Sequence, residues 1–192
     1  MKSSNIDIER GSDRTPDRGF DRRSLYTKDL IKGSFLELLK THSFTSISVT
    51  ALAEKAGIGR NTFYRHFSNT FEVLEASIDD ALTEIFTVFT FVGLGTEGNF
   101  KSYVAPFCEY VINTNRYRLL FTDPDLSSIV IGRTIAYNDR IFARSLEAAG
   151  LTPKQAEAVL RLQAAGMLEV CTTYANAKDE EKAEVISALE LL

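Results

Sequence analysis

The apolar residues of this chain recur three and four positions apart in element after element, and that spacing commits it to helices. Between about Arg23 and Thr41 the period is set by Leu30, Ile31, Phe35, Leu38 and Leu39. "HSFTSIS" breaks it, and Ser48 is a natural N-cap for the next helix, "VTALAEKA", which Gly57 stops. Gly59 or Arg60 opens a short third helix. Asn69, with Glu72 three residues on, starts a fourth that should run to about Val92. Helices near 99–114 and 116–121 follow. Asp123-Pro124 opens a long helix that Gly150 ends, because proline is tolerated at the first helical position. Thr152-Pro153 with Gln155 restarts the chain, and Asp179, Glu180 and Glu181 stand where a last helix favours negative charge. The expected fold class is all-α, without repeats.

The short third helix, "RNTFYRHF", carries more hydrogen-bonding groups than its size explains. On a wheel of about 100° per residue, Phe63 and Phe67 share one face and Asn61 and Arg65 the opposite one. Thr62 and Tyr64 flank the outward face, with His66 at its edge. The phenylalanines anchor the helix to a core and leave the polar set outward. The preceding "LAEKAGI" offers Ala53 for close helix approach, Gly57 for the tight turn and Ile58 as a core plug. A helix, a short glycine turn and a helix with an exposed polar face form a helix-turn-helix pattern. Arg and Asn can make bidentate contacts with guanine and adenine edges, while Tyr, Thr and His suit phosphate oxygens. A surface hairpin with no nucleic-acid role is the competing reading of the same pattern.

Charge is divided in a way that fits. Residues 1–69 hold 12 Lys and Arg against 8 Asp and Glu, whereas residues 70–192 hold 10 against 18. The whole chain, at −4, does not look like a nucleic-acid binder, but its first third carries +4 and invites an anionic partner.

The stretch "FTSISVTALAEKAGIGRNTFYRHFSNTFEVLEA", and about residues 25–76 in all, resembles the DNA-binding region of the TetR (tetracycline-repressor-like) transcription regulators. Its most specific element is the core around Ala56-Gly57-Ile58 and Thr62-Phe63-Tyr64 with His66-Phe67. By that resemblance Arg60, Asn61, Thr62, Tyr64, Arg65 and His66 fall where the family touches DNA. Ser48 and Thr50 fall at the start of the preceding helix, where further contacts are made. Two positions depart from the pattern. Gly59 replaces a frequent capping Ser, and Thr70 stands near a frequent phosphate-binding Lys, for which Arg22, Arg23 and Lys28 are possible substitutes.

Residues 1–22 mix Ser, Asp, Arg and Gly with almost no large apolar groups and are expected to form a flexible arm; the resemblance implies a helix-turn-helix DNA-binding domain at 23–68 and a helical effector-binding and dimerisation domain at 69–192. It implies a homodimer on double-stranded DNA, reading a pseudo-palindrome with recognition helices about 34–36 Å apart. The function expected is a ligand-responsive repressor. The alternative is a regulator of the same type controlled by a protein partner. The last two long helices, about 153–176 and 180–191, would form the dimer. There Ala164, Ala165 and Gly166 permit close approach, and Leu160, Met167, Leu168, Val185, Ile186 and Leu189 supply apolar area. The same residues could pack within one chain. Candidates for lining an effector pocket are Tyr103, Phe107, Tyr110, Phe121, Tyr137 and Met167, although an aromatic stripe also serves as core. Arg133, Arg140 and Arg144, if turned inward, would favour an anionic effector; as surface residues they would not.

Catalysis finds little support. The two histidines are His42 and His66, and no GxSxG, HExxH or metal-spaced cluster occurs. No cofactor or metal is expected, only an unidentified small-molecule effector. "GLGTEG" at 93–98 spells GxGxxG, but no second strand with a terminal acid follows, so an interhelical loop is the better reading. Cys108 and Cys171 lie 63 positions apart with no CxxC and no basic pair beside them, as in a chain of a reducing cytoplasm. No apolar leader and no run of about 18 apolar residues is visible, so neither a signal peptide nor a membrane span is expected.

Overall fold

The computed structural model describes residues 18–91, 104–113, 116–148 and 150–191, with side chains over 22–87, 104–113, 116–137 and 150–191. All regular structure among them is helical: α1 (Arg18–Leu39), α2 (Val49–Lys55), α3 (Arg60–Tyr64), α4 (Thr70–Phe91), α5 (Val104–Asn113), α6 (Arg118–Thr122), α7 (Ser127–Ala148), α8 (Pro153–Tyr174) and α9 (Asp179–Leu189). Short 3-10 turns cover Phe44–Ser46 and Pro124–Leu126. None of these helices is long and apolar enough to cross a membrane.

The caps expected from sequence form. Thr152 and Gln155 make a reciprocal box at the start of α8, with Thr152 N donating to Gln155 Oε1 at 2.8 Å and Gln155 N to Thr152 Oγ1 at 3.4 Å. At α4, Glu72 N donates to Asn69 Oδ1 at 2.9 Å, but the Glu72 carboxylate accepts from Ser68 N at 2.6 Å, one residue earlier than a standard box. Two boundaries differ from expectation. α1 begins at Arg18, inside the stretch read as an arm. Asp123 caps a 3-10 turn, accepting from Asp125 N at 3.0 Å, before α7 starts at Ser127.

α4 is the beam of the molecule. Val73, Leu74, Ile78, Ala81, Leu82 and Ile85 are all fully buried along it. Toward the N-terminal side it packs on α1, and toward the body on α7. One continuous core therefore runs from Ile31 and Phe35 of α1 through α4 to Cys108 of α5 and Leu168 of α8. Leu30, expected in the buried period of α1, is exposed, and Ile31, Phe35 and Leu39 carry the contact instead. In the body α8 packs against α7, α5 and α6, while α9 lies on α5. The run "IFTVFTF" is helical to Phe91, so no strand precedes the 93–98 glycines, which themselves lie outside the described residues.

Candidate nucleic-acid interface

The α2–α3 turn is built by backbone hydrogen bonds that the sequence makes available. Gly57 sits at φ +65°, a left-handed position that a side chain resists. Its N–H donates to Glu54 O at 3.0 Å, and Ile58 N donates to Ala53 O at 3.0 Å. This is the Schellman closure, and it satisfies the last carbonyls of α2 while turning the chain sharply. At the other end of α2, Ser48 Oγ accepts from Ala51 N at 3.1 Å. α3 has no side-chain cap; Thr62 N and Phe63 N donate to the Gly59 carbonyl at 2.9 and 3.0 Å.

Phe63 is fully buried and Phe67 nearly so, their rings 6.2 Å apart. Together they fix the roll of α3 about its axis. Arg60, Asn61 and Arg65 are consequently exposed, Tyr64 is 49% exposed, and Thr62 and His66 are half-buried. Tyr64 is held edge-on to Phe63, ring centroids 5.6 Å apart at 87°. Ser48 and Thr50 are exposed at the start of α2. Thr70 is the first residue of α4 and half-buried.

Beside this surface lies a cleft of about 490 Å³ lined by Arg23, Ser24 and Thr27 of α1 and by Arg65 and His66, which follow α3. His66 Nε2 is buried without a hydrogen-bond partner. Burial, and then the charges of Arg65 and Lys28, hold the imidazole below its ordinary pKa. Ser24 and Thr27 were not singled out by sequence. Thr27 stands four residues after Arg23 and three after Ser24, so it neighbours both on the surface of α1, but nothing in the chain announces that α3 ends opposite them.

In the body, ion pairs tie α4 to its neighbours. Lys32 of α1 pairs with Asp80, and with Asp29 at 3.1 Å. Burial works against its charge, but the hydrogen bonds to Asp80 and Asp29 outweigh it and the pKa is raised. Arg133 of α7 grips Asp79 with two nitrogens, Nε at 3.0 Å, and reaches Glu75 at 3.2 Å. Its charge is therefore met within the chain. Arg140 and Arg144 have side chains outside the described set, as does Tyr103 altogether.

The other pocket candidates fall in two groups. Phe107 and Phe121 are buried and pack edge to face, centroids 5.6 Å apart at 89°, with Met167 buried nearby in the same core. Tyr110 and Tyr137 are half-buried: Tyr110 donates to Glu84, and Tyr137 stacks on Phe86 at 5.1 Å with its hydroxyl 3.3 Å from Thr83. Of the residues considered for a dimer, Leu160, Ala164, Met167 and Leu168 are buried within the single chain, because that face of α8 is turned onto α5, α6 and α7. The outer face of α8 presents Val159, Leu162 (75% exposed), Ala165 and Gly166. Val185 and Leu189 of α9 are half-buried. Cys108 and Cys171, distant in sequence, meet in the α5–α8 core. The contact with Cys108, reinforced by burial, pushes the Cys171 thiol up, away from the reactive thiolate.

Comparison with known proteins follows this geometry. Residues 36–76 match the family model for bacterial regulatory proteins of the tetR family. An HTH-type transcriptional regulator of Haemophilus influenzae is 29% identical over 161 residues, 81% of this chain and 78% of that protein. The HTH-type regulator YxbF of Bacillus subtilis is 28% identical over 90 residues, 46% of this chain but 24% of its own, so that match spans about a quarter of the relative. Among solved structures, the fatty acid degradation regulator FadR of Bacillus halodurans superposes with a TM-score of 0.61 at 14% identity, over 86% of this chain and 93% of its own. RolR, solved with resorcinol, gives 0.58 at 14% identity over 89% of each chain. At these identities the structural likeness speaks for the fold.

Proposed function

We propose that this chain, whose residues 36–76 match the family model for bacterial regulatory proteins of the tetR family, is a transcriptional repressor which binds a pseudo-palindromic operator as a homodimer and releases it on binding a small effector. The observation that carries the reading is the split of α3: two buried phenylalanines on one side, and exposed Arg60, Asn61 and Arg65 on the other. In this reading Arg60 and Asn61 reach base edges, while Arg65, Tyr64, Thr62, His66, Ser48 and Thr50 hold backbone and register. The outer face of α8 is where the second protomer docks. Leu162 supplies the apolar anchor, and Ala165 and Gly166 let the helices close; a Cβ built on Gly166 meets nothing in its own chain. Arg133 is already matched by Asp79 and Glu75, so it is not the residue that would meet an anionic effector. The effector's site is in the body, and its binding shifts α4.

The test is selection of bound genomic fragments by the purified chain at two salt concentrations. A recovered palindrome whose binding falls steeply with salt is expected. Asn61→Ala should then erase the preference for it, while Tyr64→Phe weakens all duplexes evenly. Equal binding of every fragment by the wild type would sink the reading. Leu162→Glu should give a monomer in sedimentation; an unchanged dimer would move the interface off this face.

A further inference from the structure

We propose that the cleft between α1 and the end of α3 seats one backbone phosphate of the bound duplex, a contact outside the recognition helix; the proposal rests on the DNA-binding reading above. The lining is Arg23, Ser24, Thr27, Arg65 and His66, with no carboxylate among them. In a chain of net charge −4, a cleft with two guanidinium groups and no acid is a local reversal of sign. Neither guanidinium has an ion pair or side-chain hydrogen bond among the described residues. Each therefore keeps its planar set of donors free, the geometry that matches phosphate oxygens.

The remaining walls fit the same ligand. The Thr27 hydroxyl donates its one proton to the Arg23 carbonyl at 2.8 Å, so it shapes the wall beside Arg23 without itself donating to the phosphate. Ser24 offers a hydroxyl to the cleft. The positive field is real enough to act on His66, whose pKa is lowered after burial by Arg65 and by Lys28 on the α1 side. Arg65 and His66 continue directly from the exposed face of α3, so a strand lying against that face passes the cleft. A phosphate held here fixes the register of α3 in the groove, the service that phosphate contacts perform. It also supplies from α1 what Thr70 lacks at the start of α4, where the resemblance leads one to expect a lysine.

The experiment uses the full chain as wild type, Arg23→Gln and Asn61→Ala. Binding is read by fluorescence anisotropy on a random-sequence duplex and on the fragment the wild type selects, between 50 and 200 mM salt. Arg23→Gln is expected to weaken both duplexes by the same factor, about three- to tenfold. It should lower the slope of log K against log salt by about 0.9 per cleft engaged. Its melting temperature should match the wild type, since the side chain has no partner to lose. Asn61→Ala should affect the selected fragment alone. A duplex carrying a neutral methylphosphonate at the contacted position should abolish the difference between wild type and Arg23→Gln. An unchanged salt slope in Arg23→Gln, with the wild type still binding DNA, overturns the cleft and leaves the DNA-binding reading intact. Loss confined to the selected fragment would make Arg23 a base reader and also overturn it. Inorganic phosphate saturating the free protein at low millimolar concentration, with the DNA slope unmoved by Arg23→Gln, would assign the cleft to a free anion. Failure of the wild type to bind either duplex would remove the DNA-binding reading itself.

Discussion

Arg133→Ala tests how the body grips α4. Arg133 donates through Nε to Asp79 at 3.0 Å, through a second nitrogen to the same carboxylate, and to Glu75 at 3.2 Å. A bare charge pair near a protein surface is worth about 4 kcal/mol at 4 Å. The three side chains are 33%, 44% and 32% exposed, so water screens much of that attraction. Bidentate geometry restores some of it, and a net contribution of about 1–2 kcal/mol follows. Truncation also leaves Glu75 and Asp79 unopposed, four residues apart on one helix face, which costs a few tenths of a kcal/mol more. The assay is urea unfolding of the wild type, Arg133→Ala, Asp79→Asn and the double variant at one protein concentration and low salt. A coupling energy near 1 kcal/mol that shrinks as salt rises is expected. Coupling within about 0.3 kcal/mol of zero would refute the reasoning and assign the α4–α7 joint to apolar packing alone.

Three further outcomes follow from the same structure. Phe63→Ala removes a fully buried ring and should cost about 3–5 kcal/mol in unfolding experiments, with DNA binding lost alongside. A loss under about 1 kcal/mol would mean α3 is held by something else. Gly59→Ser should stabilise the chain by a few tenths of a kcal/mol, since Gly59 is an N-cap at φ −74° with open space where a side chain would go. A lower melting temperature would contradict the cap assignment. His66 should titrate below 6.5 in a proton NMR series. The unfolded chain then takes up the proton first, so the contribution of His66 to stability is fully present above the unfolded pKa of 6.5 and is lost progressively as pH falls below it. A midpoint at or above 6.5 in the free protein would show that the ring is not shielded as described.

What the sequence makes legible are features settled within a few residues. Gly57 had to be a turn because its backbone needs φ above zero, and Thr152-Pro153 with Gln155 had to be a helix start because the box closes on itself. The roll of α3 was readable because Phe63 and Phe67 are its large apolar groups. The same logic fails on α8. Its apolar and small residues encircle the helix, so periodicity cannot choose which face meets which neighbour. Ala164 turns inward and Ala165 and Gly166 outward, though all three look alike in sequence. The start of α1 was missed for the opposite reason: its first turn has almost no large apolar group, so no burial signal marks it as helix. Ion pairs such as Lys32–Asp80 and Arg133–Asp79 join positions 48 and 54 residues apart, and only the packing of α4 decides them.

Those two ion pairs hold α4 to both of its neighbours. Asp79 and Asp80 are neighbours on α4, yet one faces the arginine of α7 and the other the lysine of α1. A residue step of about 100° on the helix separates the two directions. α4 is therefore clamped from both sides at the same level of its axis, by the body through Arg133 and by the DNA-binding region through Lys32. A rotation or slide of α4 therefore disturbs both ion pairs as well as the packing of Leu74, Ile78 and Leu82. α1, held to α4 by Lys32, also carries Arg23 on the wall of the proposed phosphate cleft. Any movement of α4 that carries α1 relative to α3 therefore alters the spacing of Arg23 and Arg65 across the cleft, and with it the proposed backbone contact, while the exposed face of α3 stays as it is.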